Sequence, residues 1–259
     1  MKPAAQIPAH NPAQTAARVS PSLLLALSIF APAQNPAQNS ASSTPIPTSA
    51  LIRFQFDRPG LPVPHFRLEI REDGQGTYHA EPAPTPASTG ARVSLDPPAK
   101  VVDQTFQIAP ALTGRIFHEA RDAHQFRIPC ASRAKNIADT GAKTLTYEGP
   151  DGASACTYNY TEKKEIAALT DTFLALGTTL DEGRRLDFMH RYDRLGLDAE
   201  VGQFEHTVAD GRALGLSAIA PTLQALVDDG DLMQRVRQRA AKLLEQANQT
   251  VAIPSASLR

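Results

Sequence analysis

Between residues 51 and 160, apolar and polar positions alternate in short runs; after 160, apolar positions recur every three or four residues. The first pattern is that of strands with one buried face, the second that of amphipathic helices. Leu51–Asp57 sets Ile52, Phe54 and Phe56 against Arg53 and Gln55, and His65–Arg71 repeats the pattern through Phe66, Leu68 and Ile70. Asp73-Gly74 and Gly76 read as turn residues, with Thr77–His79 returning as a partner strand. Ala91–Leu95 and Val101–Ile108 are weaker strand candidates. Pro110 opens a helix whose apolar face is Leu112, Ile116, Phe117 and Ala120. Lys143–Glu148 and Ala155–Tyr160 then form a hairpin about Gly149-Pro150-Asp151-Gly152.

The period changes at Tyr160-Thr161. Thr161 is placed to cap a helix carrying Ile166, Leu169, Phe173, Leu176 and Leu180. Gly183 reads as a break in that helix. A second stretch follows through Leu186, Met189, Tyr192 and Leu195 to Gly196, and a shorter helix holds Val201, Phe204 and Val208. Pro221–Asp228 and Asp231–Ala247 make a helical hairpin bent at Asp229-Gly230. The fold class is therefore α+β: an antiparallel sheet domain with one packed helix over 51–160, then an all-helical region over 161–247 and a flexible tail over 248–259.

The ends change the picture. Lys2 and Arg18, the apolar run Ser22–Ala31 and the small residues Ala31-Pro32-Ala33 read as a signal peptide over 1–33. The run is about half the ~20 residues a membrane span needs. Residues 34–50, rich in Pro, Ser, Ala and Gln, read as a disordered linker, and Pro82–Gly90 as a second low-complexity loop. Without residues 1–33 the chain has 24 basic and 27 acidic residues, a net charge of −3, which argues against a nucleic-acid binder. Two cysteines in an exported chain point to one disulfide, Cys130–Cys156.

No chemical motif is complete. His118-Glu119-Ala120-Arg121-Asp122 lacks the second His of a zinc-protease helix, so no metal is expected. His190-Arg191-Tyr192-Asp193 lacks the Asn of a kinase catalytic loop, and neither Gly215–Ile219 nor Gly152–Cys156 has the second Gly of a nucleophile elbow. No cofactor motif is present. Arg235, Arg239 and Lys242 share one helix face, most simply a solvated one. Arg133, Lys135, Asn136 and Lys143 lie in the loop between the cysteines and form the candidate binding surface.

Two resemblances add to this. Pro221, Leu223, Leu226 and Asp228, followed by Val236-Arg237, Ala240-Ala241 and Leu243-Leu244, resemble a single HEAT-type repeat over about a tenth of the chain. That implies helix-pair packing and a protein partner met through the helical half. The wider chain, particularly Lys143–Tyr160, resembles uncharacterised exported bacterial proteins, which brings no activity with it. The expectation is an exported (periplasmic or secreted) non-catalytic binding or structural module of the cell envelope. The alternative is an envelope or extracellular hydrolase whose acid/base residues the spacing does not reveal.

Overall fold

The sheet is built outward from Leu51–Asp57 (β1), which pairs antiparallel on both sides. The computed structural model describes residues 49–84, 97 and 99–251. The expected signal, all but the last two residues of the expected linker, the strand candidate Ala91–Leu95 and most of the tail fall outside them. The other strands are His65–Arg71 (β2), Gln75–Glu81 (β3), Val102–Gln107 (β4), Ala142–Gly149 (β5) and Gly152–Tyr158 (β6). Their spatial order is β4-β3-β2-β1-β5-β6, antiparallel at each of the five pairings. The expected linker overreaches by one residue: Ala50 is already buried, and its N–H donates to Glu72.

Alternation decides the two faces. Ile52, Phe54, Phe56, Phe66, Leu68, Ile70, Tyr78 and Leu145 point to the buried face. The other face is polar. There Arg53 donates to Glu69 at 2.7 Å and Glu148 at 3.2 Å, and His79 meets Asp103 at 2.7 Å. Gly76 is not in the turn but inside β3, opposite Phe106. A side chain there would occupy the space of the Phe106 ring, so the strand requires glycine at this close approach. The turn itself falls to Gly74, whose φ of +82° suits the left-handed region.

Helix α1 (Pro110–Asp122) buries Leu112, Ile116, Phe117 and Ala120 as its spacing requires. Helix α2 runs unbroken over 29 residues, Lys164–Tyr192. Several sequence expectations fail here. Thr161 does not cap it; its hydroxyl accepts from the N–H of Lys163, just ahead of the first turn. Gly183 does not break it. A Cβ at 183 would overlap Ile219, so the glycine lets the helix ride directly on the Leu216–Ile219 turn. The roughly 1 kcal/mol helix penalty of glycine is offset by that packing. Tyr192 and Leu195, expected in the core, are 68% and 86% exposed because the helix ends at Tyr192 and turns before Gly196.

Helix α3 (Leu197–Ala209), α4 (Ala220–Asp228) and α5 (Gln234–Val251) complete the helical half. Helix α5 continues four residues past the expected end at Ala247. All described residues lie in one compact unit, and one apolar cluster runs from the sheet through α1 and α2 into α5. At its centre the ring of Phe173 on α2 stacks on Phe54 of β1, 5.1 Å between centroids and 8° from parallel.

Candidate functional site

The residues expected to bind do not stay together. Arg133, Lys135 and Asn136 are exposed in the segment between the cysteines, and Asn136 has a φ of +61°. Lys143 is 6% exposed and points inward from β5. Its ammonium donates to the carbonyls of Thr140 (3.1 Å), Gly141 (2.9 Å) and Asn159 (2.8 Å), and to the Thr140 hydroxyl (3.0 Å). Burial lowers its pKa. Lys143 therefore laces the base of the loop to the end of β6 rather than joining the exposed surface. Cys130 and Cys156 bring their Sγ atoms to 2.08 Å, disulfide distance, with Cα atoms 5.9 Å apart.

The other polar groups weighed in the sequence are also committed to packing. Arg235 grips Asp198 on α3; Arg239 bridges Asp198 (3.2 Å) and Glu205 (3.4 Å), and Lys242 reaches Glu205 at 3.4 Å. This basic face of α5 is thus not merely solvated; it is the seam to α3. His118 pairs with Asp122 at 3.0 Å one turn away, both exposed. His190 meets Asp229 at 2.8 Å and ties α2 to the α4–α5 bend.

A different group of charges lines a cleft of about 650 Å3. One wall is the proline-rich pair of segments Gly60–Val63 and Pro82–Pro84. These are stiffened by hydrogen bonds from Arg58 N–H to Pro64 (2.7 Å) and from Ala83 N–H to Pro62 (2.8 Å). The opposite wall is Asp181, Glu182, Arg184 and Arg185 of α2. Gly183 sits between them and presses on Ile219, which turns this stretch of the helix so that its charges flank the core contact.

The environment shifts both carboxyls the same way. Burial pushes Asp181 up, while the Tyr78 hydroxyl beneath it and the Arg184 guanidinium, 3.8 Å away, pull it down. Tyr78 is 1% exposed, and neither its hydroxyl nor Asp181 Oδ1 completes a hydrogen bond of good geometry. Glu182 is pushed up to about 7, first by burial, then by the charge and hydrogen bond of Glu200 on α3, with Arg185 opposing. Arg185 in turn meets Glu200 at 2.8 Å. The pKa of Glu182 is thus held near neutral pH, the condition under which a carboxyl can act as acid or base.

This pair has a stability consequence with a definite sign. The folded-state pKa of Glu182 lies above its ordinary value, so the folded chain holds the proton more tightly than the unfolded one. Stability falls as pH rises from about 4.5 through 7. Glu182→Gln removes that slope and is expected to stabilise the protein at pH 8 by about 1–2 kcal/mol, with little effect at pH 4.5. Urea denaturation at the two pH values tests this. Equal effects at both would show that Glu182 does not change protonation between them.

Sequence reasoning missed this cleft because its carboxylates lie on α2 while the facing wall is built by two loops far earlier in the chain. Only the charge run Asp181–Arg185 around a mid-helix glycine hinted at it. Among the described residues no group of three or more His, Cys, Asp or Glu is placed to hold a metal ion. No helix among them is long and apolar enough to cross a membrane. No family model matches the chain, and no curated protein matches it.

Proposed function

We propose that this chain is an exported protein of the cell envelope that works as a non-catalytic binding module, with the Asp181–Arg185 cleft as its ligand seat. Export is supported by the apolar run Ser22–Ala31 with small residues behind it, and by the cysteine pair at disulfide distance. The observation that carries the binding reading is the cleft itself. Its volume falls in the range of small-ligand sites, and apolar prolines face two carboxyls and two guanidiniums. That arrangement suits a zwitterionic ligand such as a short peptide, its ammonium toward Asp181 and its carboxylate toward Arg184.

The test is a thermal-shift screen with unblocked tripeptides, their doubly blocked counterparts and neutral disaccharides. Unblocked tripeptides are expected to raise Tm, and Arg184→Ala to abolish the rise. No rise, or one unchanged in the variant, overturns the reading. One observation favours a hydrolase instead: the Glu182 carboxyl with its proton near neutral pH. The same tripeptides are therefore followed by mass spectrometry. Cleavage lost in Glu182→Gln would replace the binding module with a hydrolase.

A further inference from the structure

We propose that the outer edge of β4 and the end of α2 form a docking groove for an extended peptide segment of a partner protein, taken up as an additional strand and carrying alternating apolar and acidic side chains. The groove shares only Pro97 and Arg184 with the ligand-seat cleft, and the free strand edge and the aromatic wall belong to it alone. Strand β4 is the terminal strand of the sheet, with no strand on its outer side among the described residues. Its sequence, VDQTFQ, contains neither the Lys nor the Pro that commonly blunts a free edge. Beside its first half lies a groove of about 330 Å3 whose far wall is the last two turns of α2.

The groove is apolar where a strand's side chain would enter. Phe188 and Tyr192 lie ring against ring, 4.8 Å between centroids, and Tyr192 is 68% exposed. Val101, 60% exposed, faces them from the strand side. A free edge supplies backbone hydrogen bonds, and an adjacent pocket selects alternate side chains; together they are the parts of strand-addition recognition.

Charge selects the occupant. The carboxylates of the groove are already committed, Asp187 to Arg191 at 2.8 Å and Asp103 to His79 at 2.7 Å. Three cations line the groove against those two carboxylates: Arg184, 3.8 Å from Asp181, Arg191, which holds Asp187, and Lys100, which makes no ion pair among the described residues. A segment alternating apolar and acidic residues places its apolar side chain on Tyr192 and its carboxylates toward Lys100 and Arg191. A basic segment would meet like charge.

The experiment is fluorescence anisotropy on the full chain with a labelled hexapeptide alternating valine and glutamate, and with its valine–lysine counterpart. The glutamate peptide is expected to bind at least tenfold more tightly. Tyr192→Ala is expected to weaken it about tenfold, and the double variant Lys100→Glu, Arg191→Glu to reverse the preference. These side chains are solvent-facing, and urea denaturation confirms that each variant is folded. Methylating alternate peptide nitrogens should abolish binding in one frame and spare it in the other, since only one row of N–H groups faces β4. Three results overturn the proposal: no binding of the glutamate peptide, no charge preference, or equal tolerance of both methylation frames. Sedimentation showing a dimer lost in Tyr192→Ala would assign the edge to a second copy of this chain, and would equally overturn it.

Discussion

Phe173→Ala is expected to lower the unfolding free energy by about 3–5 kcal/mol, the largest effect of any single substitution considered for this fold. Phe173 is fully buried on α2 and stacks on Phe54, itself in contact with Phe66, 6.0 Å between centroids. Phe66 continues the chain of rings to Phe56 and Tyr78 at 5.4 and 5.9 Å. Removing the ring leaves a cavity between two elements that are each fixed elsewhere, β1 by pairing on both sides and α2 by its contact with the Leu216–Ile219 turn. Neither can collapse into the space. Phe173→Leu keeps most of the volume and is expected to cost less than half as much. Urea denaturation followed by circular dichroism reads both. A loss below about 1 kcal/mol for the alanine variant would mean that the helical half does not depend on the sheet at this point.

The second large effect concerns the cysteines. Replacing both Cys130 and Cys156 with Ser is expected to cost roughly 3–4 kcal/mol, the loop-closure value for about 27 residues. The pair has more to hold than its own loop. Between α1 and Cys130 the chain passes through His124, Gln125 and Phe126, all with positive φ, a conformation unusual for side-chain-bearing residues. Phe126 is buried beneath the hairpin, and the Ser154 hydroxyl donates to the Gln125 carbonyl. Fastening Cys130 to β6 keeps this left-handed turn in place. The oxidised chain is expected to resist a thiol reagent until a reductant is added. If the Ser variant unfolds within about 1 kcal/mol of the parent, the bond contributes nothing that packing does not already supply.

Much of the fold is legible in the chain because its signals are local. The alternation in Leu51–Asp57 and His65–Arg71 places β1 and β2 to the residue, and Pro110 with its apolar stripe places α1. The misreadings share one cause. Gly183 and Gly76 look like punctuation in sequence, yet each is small so that a residue far along the chain, Ile219 or Phe106, can approach. Leu195 looks like core because its spacing continues the helix, although the helix stops short of it. Lys143 looks like a surface base because nothing local announces the carbonyls that surround it. The cleft was illegible for the same reason. The raised pKa of Glu182 depends on Glu200 and so on α2 and α3 lying side by side, and the cleft's other wall on loops far earlier in the chain.

The strand order carries one more consequence, for the time course of synthesis. Chain order and sheet order agree from β1 to β4, so that meander can assemble as soon as residue 107 is available. Strand β1, however, is finally an interior strand, and its second neighbour β5 begins only at Ala142. While a ribosome moves between those points, the apolar-faced strand Leu51–Asp57 stands as a temporary border with one row of backbone groups unanswered. Residues 108–141, which bring α1 and Cys130, emerge during this interval, and the β5–β6 hairpin closes it. The stretch from Ala142 to Tyr158 is therefore the step that commits the nascent chain, and variants that slow this hairpin should lower yield far more than they lower final stability.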